Sequence, residues 1–402
     1  MVALPSFHLI ARAFPNAERR LLTNFPVHAK APASAAVLDG SGLVTGYMRY
    51  TAGTRNPLEL VRLIAEIRSF RPEVVVYLMH TRSRQAIGRD RLFFRLAGVR
   101  RLACVPPEER IMFHFDSGSG LYEKEVARLA RMTAELGDAG PLELANWDLR
   151  LSDAERASAH GALGDLAGRP LVVCGPGTKM RAKDWGQDNW RALLQRIEVE
   201  YPGHGLALVG APEEAAAADH AAQQWTGPKV NLCGLLTPRE TAAVLEQARI
   251  FLGPDSGPMH LAAAAGVPCV IAFSAAGLPG IWFPPGDKHQ IVYHQTACCG
   301  CFREKCNVEG HPCLSSITVD EMAEAVDRAV RGQDGAPPIT RIGERRPLPN
   351  APNGLPKVMS SRSANKPTYP DGSPFKILRS ASWLSWITAS SAGGTLIVAS
   401  FA

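Results

Sequence analysis

The sequence predicts an α/β protein built from two parallel-sheet domains. Short apolar runs such as Val74-Val75-Val76-Tyr77-Leu78, Leu171-Val172-Val173-Cys174 and Cys269-Val270-Ile271-Ala272-Phe273 have the length and continuity of strands buried on both faces. They alternate with amphipathic stretches of helical period, the order that produces a parallel sheet covered by helices. In the second half, four such runs are each followed by a Gly-bearing turn. In a parallel sheet all four turns fall on one edge and form a ligand crevice.

Composition bounds the function classes. A chain of 402 residues, 46% hydrophobic and 20% charged, is long enough for two domains with substantial cores. The net charge of +6 comes from the end of the chain: residues 331–402 hold nine Lys/Arg against three Asp/Glu, leaving 35 of each sign before them. A neutral body disfavours nucleic acid as a partner, although Arg82, Arg84, Arg89, Arg91, Arg95, Arg100 and Arg101 make one dense cationic window. There is no cleavable signal peptide and no run of 18 apolar residues, so a cytoplasmic location is expected.

Taken in order, residues 4–14 read as a helix with Pro5 in its first turn and Phe7, Ile10, Ala11 and Phe14 on one face. Residues 20–24 follow as a strand. An α/β domain that opens on a helix lacks the strand that helix should cover, so the first strand of the N-terminal domain is expected to be missing. Residues 57–69 form an amphipathic helix, 74–78 a buried strand, the Arg-dense window a helix, 102–105 a short strand and 121–136 a further helix. A linker within 161–169 opens the second domain. Its strands are 171–174, 206–209, 229–232, 250–252 and 269–273, separated by helices at 188–201, 212–225, 238–248 and the Ala-rich stretch after Gly257. A helix at 320–331 closes it. Residues 333–376 carry nine prolines with Ser, Asn and Gly and no apolar period, the composition of a linker without a core. The expected organisation is an N-terminal domain over 1–160, a C-terminal domain over 161–332 and a basic, unstructured tail over 333–402.

The four turns are Gly175-Pro176-Gly177-Thr178, Gly210-Ala211-Pro212-Glu213, Gly234-Leu235-Leu236-Thr237 and Gly253-Pro254-Asp255-Ser256. The last opens a helix, so Ser256, Gly257 and the backbone N–H groups meet the positive end of its dipole, with His260 one turn later on the same face. On a lone turn, Asp255 and Ser256 would simply cap the helix and His260 would be a packed histidine. Four turns on one edge favour an anionic ligand instead. Thr178, Lys179, Arg181 and Lys183 add hydroxyl and cationic groups suited to phosphate oxygens. Trp185 and Trp190 read as helix-packing residues.

Thr178-(x)4-Lys183-Asp184-Trp185, the turn at Gly210, Leu232-Cys233-Gly234-Leu235-Leu236-Thr237 and Gly253-Pro254-Asp255-Ser256-Gly257-Pro258-Met259-His260-Leu261 together resemble the donor half of the family 9 glycosyltransferases, the ADP-heptose:lipopolysaccharide heptosyltransferases. The resemblance covers roughly residues 1–330 and is strongest over 170–320. It implies a GT-B fold, with two Rossmann-like domains facing a central cleft, and inverting transfer without a catalytic metal or other cofactor. The implied donor is an ADP-heptose-like nucleoside diphosphate sugar. The implied acceptor is a lipid-linked glycan at the inner membrane surface, met by a monomeric enzyme that is cytoplasmic or peripheral on that membrane. Carried over by position, Thr178 and Lys183 would face the donor phosphates, Glu213 the ribose and Leu236 the base. Asp255, Ser256, Gly257 and His260 would bind the diphosphate and sugar. The family's general-base aspartate follows a strand and Gly-Asp turn that here would lie upstream of Met1, although Ala3-Leu4-Pro5 matches the helix start behind it. No catalytic residue is therefore assigned, and a catalytically impaired, nucleotide-sugar-binding relative is the alternative.

Nine cysteines complete the pattern. Cys104, Cys174, Cys233 and Cys269 sit in apolar runs as small core residues do. Cys298, Cys299, Cys301, Cys306 and Cys313 crowd together, similar to a stretch found in many family members. Buried reduced thiols and a tetrahedral structural zinc are the two readings, the first preferred.

Overall fold

The computed structural model describes residues 1–24, 34–51, 54–79, 84–105, 112–332, 340–341 and 395–400. In chain order the elements begin α1 (Leu4–Ala13), β1 (Glu18–Asn24), α2 (Ala35–Leu38), β2 (Gly46–Tyr50), α3 (Pro57–Phe70), β3 (Val74–Leu78), α4 (Arg84–Leu96) and β4 (Leu102–Ala103). A small hairpin, β5 (Phe115–Asp116) and β6 (Leu121–Tyr122), precedes α5 (Glu125–Met132), α6 (Asp153–Leu163) and β7 (Leu171–Cys174). Then come α7 (Gln187–Glu200), β8 (Gly205–Leu208), α8 (Ala215–Ala221), β9 (Lys229–Asn231), α9 (Pro238–Leu245), β10 (Ala248–Pro254), α10 (Gly257–Ala264) and β11 (Cys269–Phe273). The last elements are β12 (Gln290–Gln295), α11 (Pro312–Ser315), α12 (Val319–Val330), β13 (Thr340–Arg341) and β14 (Thr395–Ser400).

These elements form two units. One holds Ala3–Phe113, Val126–Gly140 and β14; the other holds Met1–Val2, His114–Glu125 and the described residues from Pro141 through β13. The boundary thus falls near residue 140 rather than at 160. The reason is α6, which packs on α9 and is fixed there by Arg239. The Arg239 guanidinium forks onto Glu155 and donates to the carbonyls of Leu149 and Arg150.

In the first unit the sheet order is β2-β1-β14-β3-β4, all parallel. The strand at the centre comes from the far end of the sequence. Val398 pairs with Leu21 on one side and Val76 on the other, and residues 396–399 are fully buried. Counted with β14 first, the order is 3-2-1-4-5, that of a Rossmann half. Two expectations are corrected here. The position of the missing first strand is filled, and the 333–402 tail contributes β13 and β14 instead of being wholly unstructured. The physical reason is the run Thr395-Leu396-Ile397-Val398-Ala399-Ser400, whose branched apolar side chains favour a buried strand with partners on both edges. The apolar segments at 375–378 and 383–387 lie outside the described residues.

In the second unit the order is β13-β12-β11-β10-β7-β8-β9, again all parallel. The direction of winding reverses between β7 and β10, and in open α/β sheets ligands bind at such a point, beyond the carboxyl ends of the strands. Two further sequence expectations change. Leu121-Tyr122 belongs to the hairpin rather than to a helix, because Asp116 accepts from the N–H groups of Gly118 and Ser119 to close the turn and Tyr122 N–H donates to Pro279 O. The expected helix at 212–225 is a short 3-10 turn at Pro212–Glu214 followed by α8. Capping boxes at Ser152/Glu155, Thr237/Glu240 and Thr318/Glu321 start α6, α9 and α12.

Candidate functional site

The four Gly-bearing turns lie side by side. Gly175 N–H donates to Leu252 O at 2.9 Å, Val209 N–H to Cys174 O at 3.0 Å and Gly234 N–H to Gly210 O at 3.0 Å, so the turns after β10, β7, β8 and β9 are stitched in that order along one edge. Two glycines are required by this packing. A Cβ on Gly253 would stand 3.0 Å from Gly175 O, and Gly234 combines a φ of +75° with a Cβ position 2.7 Å from Pro212.

At the reversal point, Lys183 Nζ lies 2.6 Å from Asp255 Oδ2. Lys183 ends the 3-10 turn Arg181–Lys183, which is held by Ser274 Oγ donating to Ala182 O at 2.6 Å and by Ala182 N–H donating to Glu304 O at 3.0 Å. Asp255 is buried, and Ser256 is the N-cap of α10, with Gly257 as the first helical residue. The Ser256 hydroxyl is enclosed, yet it makes no cap bond and has no hydrogen-bond partner. An enclosed, unpaired hydroxyl at a helix start is an observation in favour of a ligand, since such groups are otherwise satisfied internally. Thr178 is half-buried, its Oγ1 accepting from Met180 N–H at 3.3 Å.

His260 is on α10, one turn beyond Ser256. Part of the residue reaches the surface, but burial, then the positive charges of the amino terminus and Lys183, push it down to about 3. It is therefore a neutral imidazole at pH 7. Against a phosphate it offers one N–H bond rather than a cation, which leaves Lys183 as the charged group in this part of the site.

On the neighbouring turn Glu213 is exposed, whereas Glu214 turns inward: its Oε2 accepts from Ala211 N–H at 2.8 Å and its side chain lies under Gly177 and Gly210. Glu214 stands in no motif of the sequence; its one local signal is its place three residues beyond the extended Ala211, where a carboxylate caps the turn. Leu236 is half-buried beside the exposed Leu235. Trp185 and Trp190 are both buried, edge to face at 4.7 Å, and Trp185 Nε1 donates to Ile317 O. Both are packing residues, as expected.

Cys104, Cys174, Cys233 and Cys269 are buried free thiols. In the clustered stretch, Cys313 is buried and Cys299 Sγ is 3.0 Å from Tyr293 Oη. Among the described residues no three His, Cys, Asp or Glu side chains stand together as a metal site, so the structural-zinc alternative gains no support.

An all-parallel sheet whose winding reverses between β7 and β10, covered by helices, defines the class of the second unit, a Rossmann-like α/β fold. Comparison with known proteins narrows the class: residues 119–311 match "Glycosyltransferase family 9 (heptosyltransferase)". The chain is 30% identical over 129 residues to lipopolysaccharide heptosyltransferase 3 of Escherichia coli, covering 31% of this chain and 37% of that protein. It is 29% identical over 148 residues to lipopolysaccharide heptosyltransferase 1 of Pseudomonas aeruginosa, covering 35% of this chain and 39% of the other. The matches thus span well under half the length of these relatives. Among solved structures, a family 9 glycosyl transferase from Veillonella parvula superposes with a TM-score of 0.60 at 13% identity, covering 82% of this chain and 93% of that one. E. coli ADP-heptose lipopolysaccharide heptosyltransferase II does so with a TM-score of 0.55 at 18% identity, covering 82% and 94%. The fold is that of the GT-B heptosyltransferases.

Proposed function

We propose that this chain transfers a heptose or related sugar from an ADP-heptose-like donor to a lipopolysaccharide core or other lipid-linked surface glycan. The observation that carries the proposal is the enclosed, unpaired Ser256 hydroxyl at the start of α10, next to the Lys183–Asp255 pair. When the bond between the anomeric carbon and the diphosphate breaks, negative charge grows on the departing phosphate oxygens. The α10 N–H groups, Ser256 Oγ–H, Lys183 and the neutral His260 N–H are placed to stabilise it. The acceptor hydroxyl attacks the opposite face of the anomeric carbon and gives up its proton to solvent as ADP departs, so the new glycosidic bond forms with inversion. Thr178 holds the donor phosphates, Glu213 contacts the ribose and Leu236 the base. Donor and acceptor meet in a monomeric enzyme on the cytoplasmic side of the inner membrane.

The second reading is a donor-binding relative with impaired turnover. It is favoured by one observation: β14, which occupies the central position of the N-terminal sheet, brings only Thr395, Ser400 and apolar residues and no carboxylate. Acceptor-dependent release of ADP from ADP-heptose, measured with a heptose-accepting core glycan, separates the two. Release supports transfer; donor binding with no release supports the second reading, and neither binding nor release removes both.

A further inference from the structure

The loop after β11 is a further turn on the ligand edge of the second unit. β11 runs parallel to β10 and pairs with it, so residues 274–283 leave the sheet at the same edge as the four Gly-bearing turns. Sheet order fixes the order of the turns along that edge, after β9, β8, β7, β10 and then β11. The loop meets the candidate phosphate site at both ends. At its start Ser274 Oγ donates to Ala182 O at 2.6 Å, one residue before Lys183. Near its end the Trp282 ring lies across the His260 ring, with centroids 6.5 Å apart and planes at 73°.

The backbone on either side of Trp282 is pinned. Tyr122 N–H donates to Pro279 O and Glu125 N–H to Ile281 O, both at 2.8 Å, and Phe283 N–H donates to Gly280 O at 3.1 Å. The Phe283 ring packs on Phe273 and Tyr293 at centroid distances of 4.7 Å and 5.7 Å. Ile281 is buried, whereas Trp282 is only half-buried. A held loop thus carries a large, flat side chain, partly open to solvent, beside the first turn of α10. From Ser274 to Pro285 the loop has no ionisable side chain, so it offers apolar surface and no charge.

The next step rests on the donor reading given above. With the base at the turn after β9, the ribose at the turn after β8 and the diphosphate at the turns after β7 and β10, the donor runs along the edge towards β11. The sugar, attached beyond the second phosphate, then falls at the loop that carries Trp282. A pyranose ring presents C–H groups on its faces, and an aromatic ring supplies a matching flat apolar surface with a polar N–H at its rim. We propose that Trp282 is the platform for the donor sugar, taking an uncharged pyranose against its indole face and so separating the nucleotide sugar from the bare nucleotide.

Calorimetric titration of ADP and of ADP-heptose into the full chain tests it. W282A should weaken ADP-heptose about tenfold, the loss of one aromatic contact, and leave ADP within about twofold of the wild-type value. A second measurement does not depend on how well W282A folds. In the wild-type protein ADP-heptose should change the indole emission where ADP does not, and W282F should abolish that change while keeping the wild-type melting temperature. Unchanged ADP-heptose affinity in W282A, equal weakening of both ligands, or an emission change that survives in W282F overturns the proposal and leaves the donor reading in place. Failure of the wild-type protein to bind ADP removes the donor reading and the sugar platform with it.

Discussion

Lys183 Nζ stands 2.6 Å from Asp255 Oδ2, so an ion pair ties the turn after β7 to the turn after β10 at the point where the sheet reverses. Lys183 thereby serves two ends, holding Asp255 and presenting cationic charge beside Ser256. K183A should lower stability by about 3 kcal/mol, because it leaves the buried Asp255 carboxylate without its partner. It should also weaken donor binding. In K183A/D255N much of the stability should return while affinity stays low, a split that urea melts and donor titrations read directly.

The place of β14 leads to a second prediction. V398D puts a carboxylate between Leu21 and Val76 in the middle of a five-stranded sheet, at a fully buried position. A cost of about 4 kcal/mol or more is expected. Hydrogen exchange should show β1 and β3 amides losing protection well before those of β10 and β11. Unchanged protection in β1 and β3 would mean that β14 is not the strand between them.

Glu155 supplies a pH dependence. The Arg239 guanidinium bonded to it, helped by the cap bonds from Ser152, holds its carboxyl down at about 2 against an ordinary value of 4.5. A lowered carboxylate contributes stability above the unfolded value and loses it as pH falls through the folded one. Stability from this pair should therefore fade between about pH 4.5 and pH 2. E155Q should remove that part of the acid limb, read as the urea midpoint against pH, and should be less stable than the wild-type protein at pH 7.

His260 and His289 work in the same direction through the opposite chemistry. Burial first, then nearby positive charges, push each down to about 3 from 6.5. Between those values the unfolded chain binds protons that the folded protein refuses, so stability falls as pH drops through that window. Two histidine resonances that do not titrate between pH 5 and 8, assigned by H260N and H289N, are the expected NMR result.

The C-terminal sheet was largely legible in the sequence because most of its strands are short apolar runs and four of them are followed by a Gly-bearing turn. β12 was not, since Gln290 and His294 break its pattern; the fold satisfies them with Arg328 donating to Gln290 and with Ser316 and Glu321 bonded to His294. β14 is hard to read for another reason: the run Thr395–Ser400 lies beyond a long proline-rich stretch and has no neighbouring helical period to mark it as part of a sheet. The sequence also brought Lys183, Asp255, Ser256 and His260 to one edge correctly, since parallel strands require it. It had no means of showing that Lys183 is already paired, that His260 is neutral or that Glu214 rather than Glu213 turns inward, because these depend on packing across turns distant in the chain.

The central claim is that the start of α10 binds the diphosphate of a nucleotide donor. Calorimetric titration of ADP into the wild-type protein and S256A tests it most directly. Removing an enclosed hydroxyl without a partner should leave the melting temperature unchanged or raised, while ADP affinity falls about tenfold for the loss of one bond to a charged oxygen. Absence of ADP binding to the wild-type protein, or equal affinity in S256A, would contradict the account.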